Sequence, residues 1–395
     1  MRQIILHRIG ASMHLKAATE EYILSGLPRP GFPILLWEDL TSCWEGNEFF
    51  RHYLQRGAIG SSNSWEPIAR AIYDYFGYLE AQGLDWRDVN RGEEKNLVAG
   101  YRDYCFEVAK LKRNTVRHRL VYVCEFYVYA RSQGWVARLP YSMEIRHLCQ
   151  QGGFLSHVEA SNERVEVRSV MPRKHQDLVK FLTKSQGEDL IGAAKNVHHE
   201  AIIRLALGTG LRREELATFP LAYVFDPDKA GVPTRNVRCT LDPSDGSGMQ
   251  TKGSKARVIY MTRSLMKHLH RYAIHHRRAR ASQETKEYPN LFLNERGQPW
   301  AKNGKGIEAM VRKLGKAIGI AVHPHMLRHT YATQMLIALQ RNRKNNRIEP
   351  LVFIQGQLGH ASIHQTTQYL HLVNELADDA VLAYDDELND FEGML

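Results

Sequence analysis

The chain has 395 residues, of which 43% are hydrophobic, and carries a net charge of +10 with an isoelectric point near 9.3. This length allows two or three domains with separate cores, and the basic charge favours a polyanionic partner such as nucleic acid. Five cysteines without a C-x-x-C pair indicate neither a disulfide framework nor a zinc ribbon. Because no apolar run reaches the roughly 20 residues of a membrane helix, and no signal-peptide core follows Met1, we expect a cytoplasmic protein without membrane association.

Residues 1–60 match no pattern that we can assign and form an N-terminal extension. Two amphipathic helices are predicted in residues 61–140, which indicates a helical domain. The first begins after Ser64 and ends before Gly83, with apolar residues at Trp65, Ile68, Ile72, Phe76 and Leu79. The second runs from a cap at Asn114 to Gly134, and its first turns contain three arginines, Arg113, Arg117 and Arg119. Together these arginines favour contacts to DNA phosphates, although each alone could be solvated.

Residues 141–173 contain a Gly-Gly pair and show no sustained period, which predicts an interdomain linker with at most one short element. We predict a catalytic domain over residues 174–372. Alternation at Val237, Cys239 and Leu241 indicates a strand, and residues 257–261 indicate a second strand of a small antiparallel sheet. Apolar residues from Ile307 to Ile318 recur at helical spacing. The predicted fold class is therefore mainly α with a small antiparallel β-sheet, a helical domain followed by an α+β catalytic domain.

Three motifs in the second half contain groups that bind phosphate and attack it. Residues 209–216 read Thr-Gly-Leu-Arg-Arg-Glu-Glu-Leu, residues 325–329 read His-Met-Leu-Arg-His, and Gly359-His360 precedes Tyr369 by nine positions. Arginine presents a planar fork of donors to phosphate oxygens, and a tyrosine hydroxyl can form a covalent ester. These residue types in one site indicate an enzyme that cuts and rejoins DNA.

The order of six residues resembles the active site of tyrosine recombinases, also called phage integrases: Arg212, Lys252, His325, Arg328, His360 and Tyr369. The resemblance covers about residues 205–372. It implies that residues 61–140 bind one side of double-stranded DNA, that Tyr369 forms a 3′-phosphotyrosyl bond, and that four protomers act on paired sites, with related recombinases or accessory proteins as further partners. It also implies no metal, ATP or other cofactor, and a bacterial, phage or mobile-element context.

Alternatives exist for several of these residues. Arg213 neighbours Arg212, which the motif selects, and Glu215 could orient the Arg212 guanidinium or lie on the helix surface. Lys252 and Lys255 share one predicted turn. The resemblance implies that the lysine of this turn protonates the departing 5′ oxygen, and it favours Lys252. The same turn does not fit a P-loop, because Gly253 is followed by Ser-Lys instead of Lys-Ser or Lys-Thr.

The histidines also allow a metal-site interpretation. His323, His325 and His329 resemble a ligand cluster, but the neighbouring sequence offers no carboxylate or cysteine, so we expect no metal. We expect His325 to take the proton of Tyr369. The resemblance implies a structural role for His329, buried against the domain core.

Tyr369 follows a polar stretch, Thr366-Thr367-Gln368, which suits a reactive hydroxyl. Its phenol needs a base and a cationic surround, since a pKa of about 10 leaves little phenolate at neutral pH. Tyr331 and Tyr384 are the nearest alternative nucleophiles. Tyr331 should face the core, and Tyr384 lies in an acidic stretch that would repel phosphate.

Two further segments are predicted to bind partners. The basic loop of residues 341–347 contains Arg343 and Lys344 as candidate DNA contacts. Residues 373–395 form an acidic tail, which we expect to dock on another protomer, or else to be disordered.

The predicted function is site-specific recombination in the integration, excision, transposition or resolution of a mobile element. A type IB topoisomerase, a telomere resolvase and a non-catalytic DNA-binding protein are the alternatives.

Overall fold

The computed structural model describes residues 13–59, 61–92, 96–147, 164–173, 179–284, 286–341, 349–367 and 369. The chain forms two compact units, Met1–Asp177 and Leu178–Leu395. Both are mainly helical, and the described strands pair in small two-stranded antiparallel sheets. The predicted fold class is therefore confirmed. None of the helices in these ranges is long and apolar enough to cross a bilayer.

The first unit contains two small N-terminal sheets, four helices and a hairpin. Its elements are β1 (His14–Ala17), β2 (Ile23–Leu24), β3 (Leu27–Pro28), β4 (Pro33–Leu36), α1 (Trp44–Leu54), α2 (Trp65–Ala81), α3 (Leu97–Glu107), α4 (Arg113–Ser132), β5 (Met143–His147) and β6 (Arg164–Arg168). Strand β1 pairs with β4, β2 with β3, and β5 with β6.

Both helices predicted in this unit are confirmed. Helix α2 begins after Ser64, and Gly83 adopts a left-handed φ of 61° just beyond its end. Helix α4 begins at Arg113, one residue before the predicted cap Asn114, because Lys112 holds the extended N-cap conformation. Helices α2 and α4 pack on each other through buried aromatic and aliphatic side chains.

Two segments without a predicted role contribute to the same core. Phe32, Leu35 and Phe49 of the N-terminal extension are buried with the helices. In the predicted linker, residues 141–173, the described part contains one short element, the β5–β6 hairpin, and Val170 and Met171 are buried in the core. The alternation Arg-Val-Glu-Val-Arg over residues 164–168 is too short to predict a strand from the sequence.

The second unit contains several helices and one small two-stranded sheet. Its elements are α5 (Lys184–Ala193), α6 (Val197–Thr209), α7 (Arg213–Ala217), β7 (Asn236–Leu241), β8 (Arg257–Thr262), α8 (Arg263–Tyr272), a π-helical turn (Ala273–Arg277), α9 (Arg278–Ala281), α10 (Lys305–Ala317), α11 (Pro324–Arg341), α12 (Pro350–Leu358) and α13 (His364–Thr367). Helix α11 packs on α6 and α12, and α12 also packs on β8.

The predicted strands and helix of this unit are confirmed. Strand β7 alternates exposed and buried residues, with Val237, Cys239 and Leu241 facing the core, and pairs with β8 over six positions. Helices α6 and α12 both end in a glycine with left-handed φ, Gly210 at 68° and Gly359 at 66°. These two helix ends meet, since a Cβ on Gly210 would come within 2.7 Å of Leu358.

Candidate active site

Three arginines converge on the carboxyl end of α12. Arg212 donates from Nη1 to the Leu358 carbonyl and from Nη2 to the Gly359 carbonyl, both at 3.2 Å. Arg328 donates to the Leu358 carbonyl at 2.6 Å, and Arg257 lies 3.4 Å from the Gln357 carbonyl. The last carbonyls of a helix lack intrahelical donors and carry the negative end of its dipole. They therefore hold a cluster of cations in place.

A single buried carboxylate joins two of these arginines. Glu215 is 1% exposed and accepts from Arg212 Nη1 at 3.1 Å, while its Oε2 caps the Arg212 backbone N–H at 2.8 Å. Arg257 donates to both carboxylate oxygens, at 2.8 and 2.7 Å. Burial alone would raise the pKa of Glu215, but the bonds from Arg257 and then Arg212 outweigh it and lower that pKa. The geometry fits the predicted orienting role of Glu215.

Arg328 is the most buried cation of the cluster, with 1% of its surface exposed. It connects the ends of α6 and α12 by donating to the Gly210 carbonyl at 2.8 Å and to Leu358. Burial and the neighbouring Arg212 lower its pKa to about 9. Arg212 remains 20% exposed, and described partners use three of its five N–H donors. Of these two arginines, Arg212 is therefore the more accessible to a ligand.

The site histidines are neutral at physiological pH. Burial and the nearby arginines lower the pKa of His325 to about 4 and that of His360 to about 3. Burial and the adjacent His325 lower the pKa of His329 to about 3. A neutral imidazole can accept a proton on one nitrogen and donate from the other, so each ring can act as a base or as a hydrogen-bond donor.

Tyr369 lies among these histidines, although the structure differs from its predicted surroundings. Its hydroxyl is 2.9 Å from His329 Nδ1, and its ring stacks parallel to His360 at a centroid distance of 6.2 Å. However, Tyr369 has no exposed surface and packs with Tyr331 and Leu358. The polar residues before Tyr369 in the sequence do not predict this burial. Tyr331 is buried, as predicted.

His329 is also differently placed from the prediction. It was expected to be a structural histidine of the core, with His325 next to the phenol. Instead, His329 contacts Tyr369 directly, and the His325 ring packs edge-on against His329 at a centroid distance of 4.2 Å. The helical spacing of four residues puts both rings on one side of α11, and that spacing could not decide which of the two meets the tyrosine.

Lys252 occupies an exposed turn between β7 and β8. Two successive residues in this turn have positive φ, Gly253 at 72° and Ser254 at 51°, and Thr251 Oγ1 donates to the Lys255 carbonyl at 2.7 Å. The Lys252 ammonium is among the charges that lower the pKa of His325, which brings it into the field of the site. Lys255 lies on the same exposed turn, so the choice of Lys252 stays a prediction.

The predicted DNA-contacting arginines of α4 have different surroundings. Arg119 pairs with Asp74 at 2.6 Å, and Arg117 donates to the Pro172 carbonyl at 2.7 Å, so both stabilise their own unit. Arg113 is exposed beside the exposed Lys112. The two loop candidates, Arg343 and Lys344, lie outside the described residues, as does the acidic tail.

Metal ligation finds no support in the part of the chain that the structure describes. No group of three or more His, Cys, Asp or Glu side chains there could hold an ion. His323, one member of the histidine triplet in the sequence, instead accepts the N–H of Met326 at 3.2 Å through Nδ1 and so caps the start of α11.

Comparison with known sequences gives a consistent family match. Residues 180–375 match the phage integrase family model. Tyrosine recombinase XerA of Saccharolobus solfataricus is 29% identical over 209 residues, 53% of this chain and 58% of the relative. XerC of Bacillus subtilis is 25% identical over 346 residues, 85% of this chain and 95% of the relative. The chain thus spans less than two thirds of the archaeal XerA relatives, at 58% and 63%.

Solved structures share the fold at low sequence identity. The XerH recombinase in a post-cleavage complex with a palindromic difH substrate has a TM-score of 0.55 at 14% identity, covering 87% of this chain and 88% of its own. The Tn1549 transposon integrase with a circular-intermediate DNA has a TM-score of 0.54 at 19% identity, covering 83% and 94%.

The depressed histidine pKa values predict a stability that falls with acidity. Unfolded histidine titrates near pH 6.5, whereas His329 resists protonation in the folded state until about pH 3. The stabilisation is therefore complete above pH 6.5 and is lost as pH falls toward 3. The unfolding free energy of wild type should fall between pH 7.5 and pH 5.5, and that of His329→Gln should fall less. The difference should be at most about 1 kcal/mol, since His329 is partly exposed. Urea unfolding at both pH values measures this, and an equal loss in wild type and variant would contradict it.

Proposed function

The chain belongs to the phage integrase family of tyrosine recombinases, and we propose that it cleaves and rejoins double-stranded DNA at specific sites through a covalent bond to Tyr369. One observation carries this proposal. His329 lies 2.9 Å from the Tyr369 hydroxyl and the His360 ring stacks on the Tyr369 ring, while His325 packs on His329 and both Arg328 and Arg212, the latter more than 100 positions earlier in the chain, bind the end of the helix that leads to His360.

The arginines supply the charge for phosphate binding. A scissile phosphodiester carries one negative charge, and the five-coordinate transition state concentrates more on the non-bridging oxygens. Arg212 has remaining N–H donors for these oxygens, and the neutral His360 can donate from the ring nitrogen that does not bond Thr366. Because these donors are already fixed by the α12 carbonyls and Glu215, they need little reorganisation during the reaction.

The chemical step then balances within protein and DNA. The Tyr369 oxygen attacks phosphorus, a P–O bond forms to the phenol, and the P–O5′ bond breaks. The phenolic proton passes to a neutral histidine, and the 5′ oxygen receives a proton from Lys252. His329 is the histidine in contact with the phenol, which supports it over His325 as the first acceptor. The ester bond keeps the energy for rejoining, so ATP is not required.

Attack requires Tyr369 to leave its buried position, since a duplex cannot reach a side chain without exposed surface. The segment around it is short, with α13 spanning only His364–Thr367 before the tyrosine. A small displacement of this segment would expose the hydroxyl, and the proposed proton transfer requires that His329 stay within hydrogen-bond reach of it. We propose that binding of DNA favours this exposed state, because phosphate compensates the arginine cluster.

Double-stranded DNA is the proposed partner, bound by residues of both units. The exposed pair Lys112 and Arg113 and the exposed turn with Lys252 and Lys255 offer cations for the backbone. We further propose that four protomers assemble on two sites, since exchange of strands between two duplexes needs two cleavages on each. A type IB topoisomerase would instead rejoin the same strand, and products that link two different duplexes would distinguish the recombinase.

The contact between His329 and Tyr369 predicts a pH effect on cleavage. With a pKa of about 3, His329 stays a neutral acceptor above pH 5. In His329→Ala only the phenolate can react, so adduct formation should rise about tenfold per pH unit from 6 to 9, while wild type stays nearly flat. Rates on a suicide duplex measure this. A flat profile for His329→Ala together with a rising one for His325→Ala would assign the proton transfer to His325.

The role of Lys252 predicts a chemical rescue. Lys252→Ala should slow cleavage about a hundredfold or more, and a substrate with sulfur at the bridging 5′ position should recover most of this loss, since a thiolate leaves without an acid. Lys255→Ala is the matched control and should show neither effect. Rescue of Lys255→Ala instead would assign the acid to that residue.

The nucleophile prediction concerns Tyr369→Phe. This variant should bind DNA like wild type but form no covalent adduct, because affinity depends on many phosphate contacts and covalency on one oxygen. The substrate is a nicked duplex carrying the recombination site found in the DNA that flanks the coding sequence, whose short 5′-hydroxyl fragment diffuses away after cleavage. Denaturing electrophoresis and peptide mapping identify the labelled residue. Label on Tyr331 or Tyr384, or an adduct that persists in Tyr369→Phe, would refute the assignment. A wild type that binds this duplex without an adduct would favour a non-catalytic protein.

A further inference from the structure

Arg257 is the one cation of the cluster that belongs to none of the three motifs. It is the first residue of β8 and lies five positions after Lys252. Its side chain is 11% exposed, so it has little surface to offer a DNA phosphate. The bidentate pair with Glu215 instead turns its guanidinium toward the interior of the site.

The contacts of Arg257 reach two of the proposed phosphate-binding groups. Through Glu215 it acts on Arg212, which shares the Oε1 atom of that carboxylate. Its aliphatic part also packs on Gly359, the residue before His360, because a Cβ built on Gly359 would be 2.8 Å from Arg257 Cδ and 3.1 Å from Nε. The backbone that leads into His360 therefore lies against the Arg257 side chain.

A second side chain fixes the same interface. Gln357, which is buried, accepts the Tyr260 N–H at 2.8 Å and donates to the Tyr260 carbonyl at 2.9 Å, so its amide pairs with the outer edge of β8 as a neighbouring strand would. Helix α12 and β8 are thus joined at two points, Gln357 and Arg257. The position of Arg257 relative to Gly359 is set by this double attachment.

We propose that Arg257 is a positioning residue that sets the geometry of Arg212 and His360 toward the non-bridging phosphate oxygens. This inference rests on the proposed function and adds a residue to it. Without Arg257, Glu215 would remain a buried carboxylate with Arg212 as its nearest cation, and Arg212 would be drawn toward Glu215 and away from the phosphate. Lys252, on the leaving-group side, would keep its chemistry.

The experiment separates positioning from loss of fold by changing the substrate. Arg257→Ala should bind the nicked site duplex like wild type but form the Tyr369 adduct about a hundredfold more slowly, the size expected when oxyanion stabilisation is lost. A methylphosphonate at the scissile position removes the charge that Arg212 and His360 must neutralise, so the deficit there should shrink to about threefold. With sulfur at the bridging 5′ position, the rate deficit of Arg257→Ala should stay near a hundredfold, since that substitution relieves only the need for an acid.

Two further variants keep the result interpretable. Arg257→Lys retains the charge but cannot make both carboxylate bonds, so it should lose about tenfold with the same substrate pattern, even if Arg257→Ala fails to fold. Arg263→Ala is the matched control, because it removes one arginine charge directly after β8, where Arg263 pairs with Asp228. This variant should cleave like wild type.

The outcomes distinguish the two levels of the proposal. Equal deficits of the Arg257 variants on all three substrates would mean that Arg257 has a structural role only. Rescue by the bridging sulfur would mean that Arg257 assists the leaving group together with Lys252. Either result overturns the inference, while the wild-type adduct still supports the proposed cleavage activity. Absence of an adduct with wild type would overturn the proposed function itself, and this inference with it.

Discussion

The carboxyl end of α12 is the constraint on which the site depends. Its carbonyls at residues 357–359 accept from Arg212, Arg257 and Arg328, cations brought from α7, β8 and α11. Within the described residues, Glu215 is the carboxylate that pairs with this cluster. One carboxylate and the partial charge of a helix end do not balance three guanidinium groups. The site therefore has an excess of positive charge that an anionic ligand would compensate.

The same surroundings set the protonation of the site histidines. Burial first, and then the neighbouring positive charges, lower the pKa values of His325, His329 and His360. They are consequently available as proton acceptors at neutral pH.

The sequence allowed much of this architecture to be predicted, but only where a short pattern carries the information. The motifs around Arg212, Arg328 and His360 lead to one site, and periodicity finds α2, α4 and the β7–β8 hairpin. Arg257 escapes prediction because its partner Glu215 is 42 positions away and a strand arginine is ordinarily solvated. The burial of Tyr369 escapes for a related reason, since polar neighbours in sequence do not determine which way a chain turns. The β5–β6 hairpin could not be predicted, because its two strands have only five residues each and lie far apart in the sequence.

The two left-handed glycines explain how distant motifs can share one anion site. Gly210 and Gly359 each end a helix, and the left-handed backbone turns the chain away so that the last carbonyls stay open to a donor from outside the helix. Arg328 uses both ends at once, through the Gly210 and Leu358 carbonyls. A side chain at either glycine would collide with Tyr331 or with Arg257. The motif glycines therefore act by letting two helix ends approach, and the arginine that connects them is fixed before any phosphate arrives.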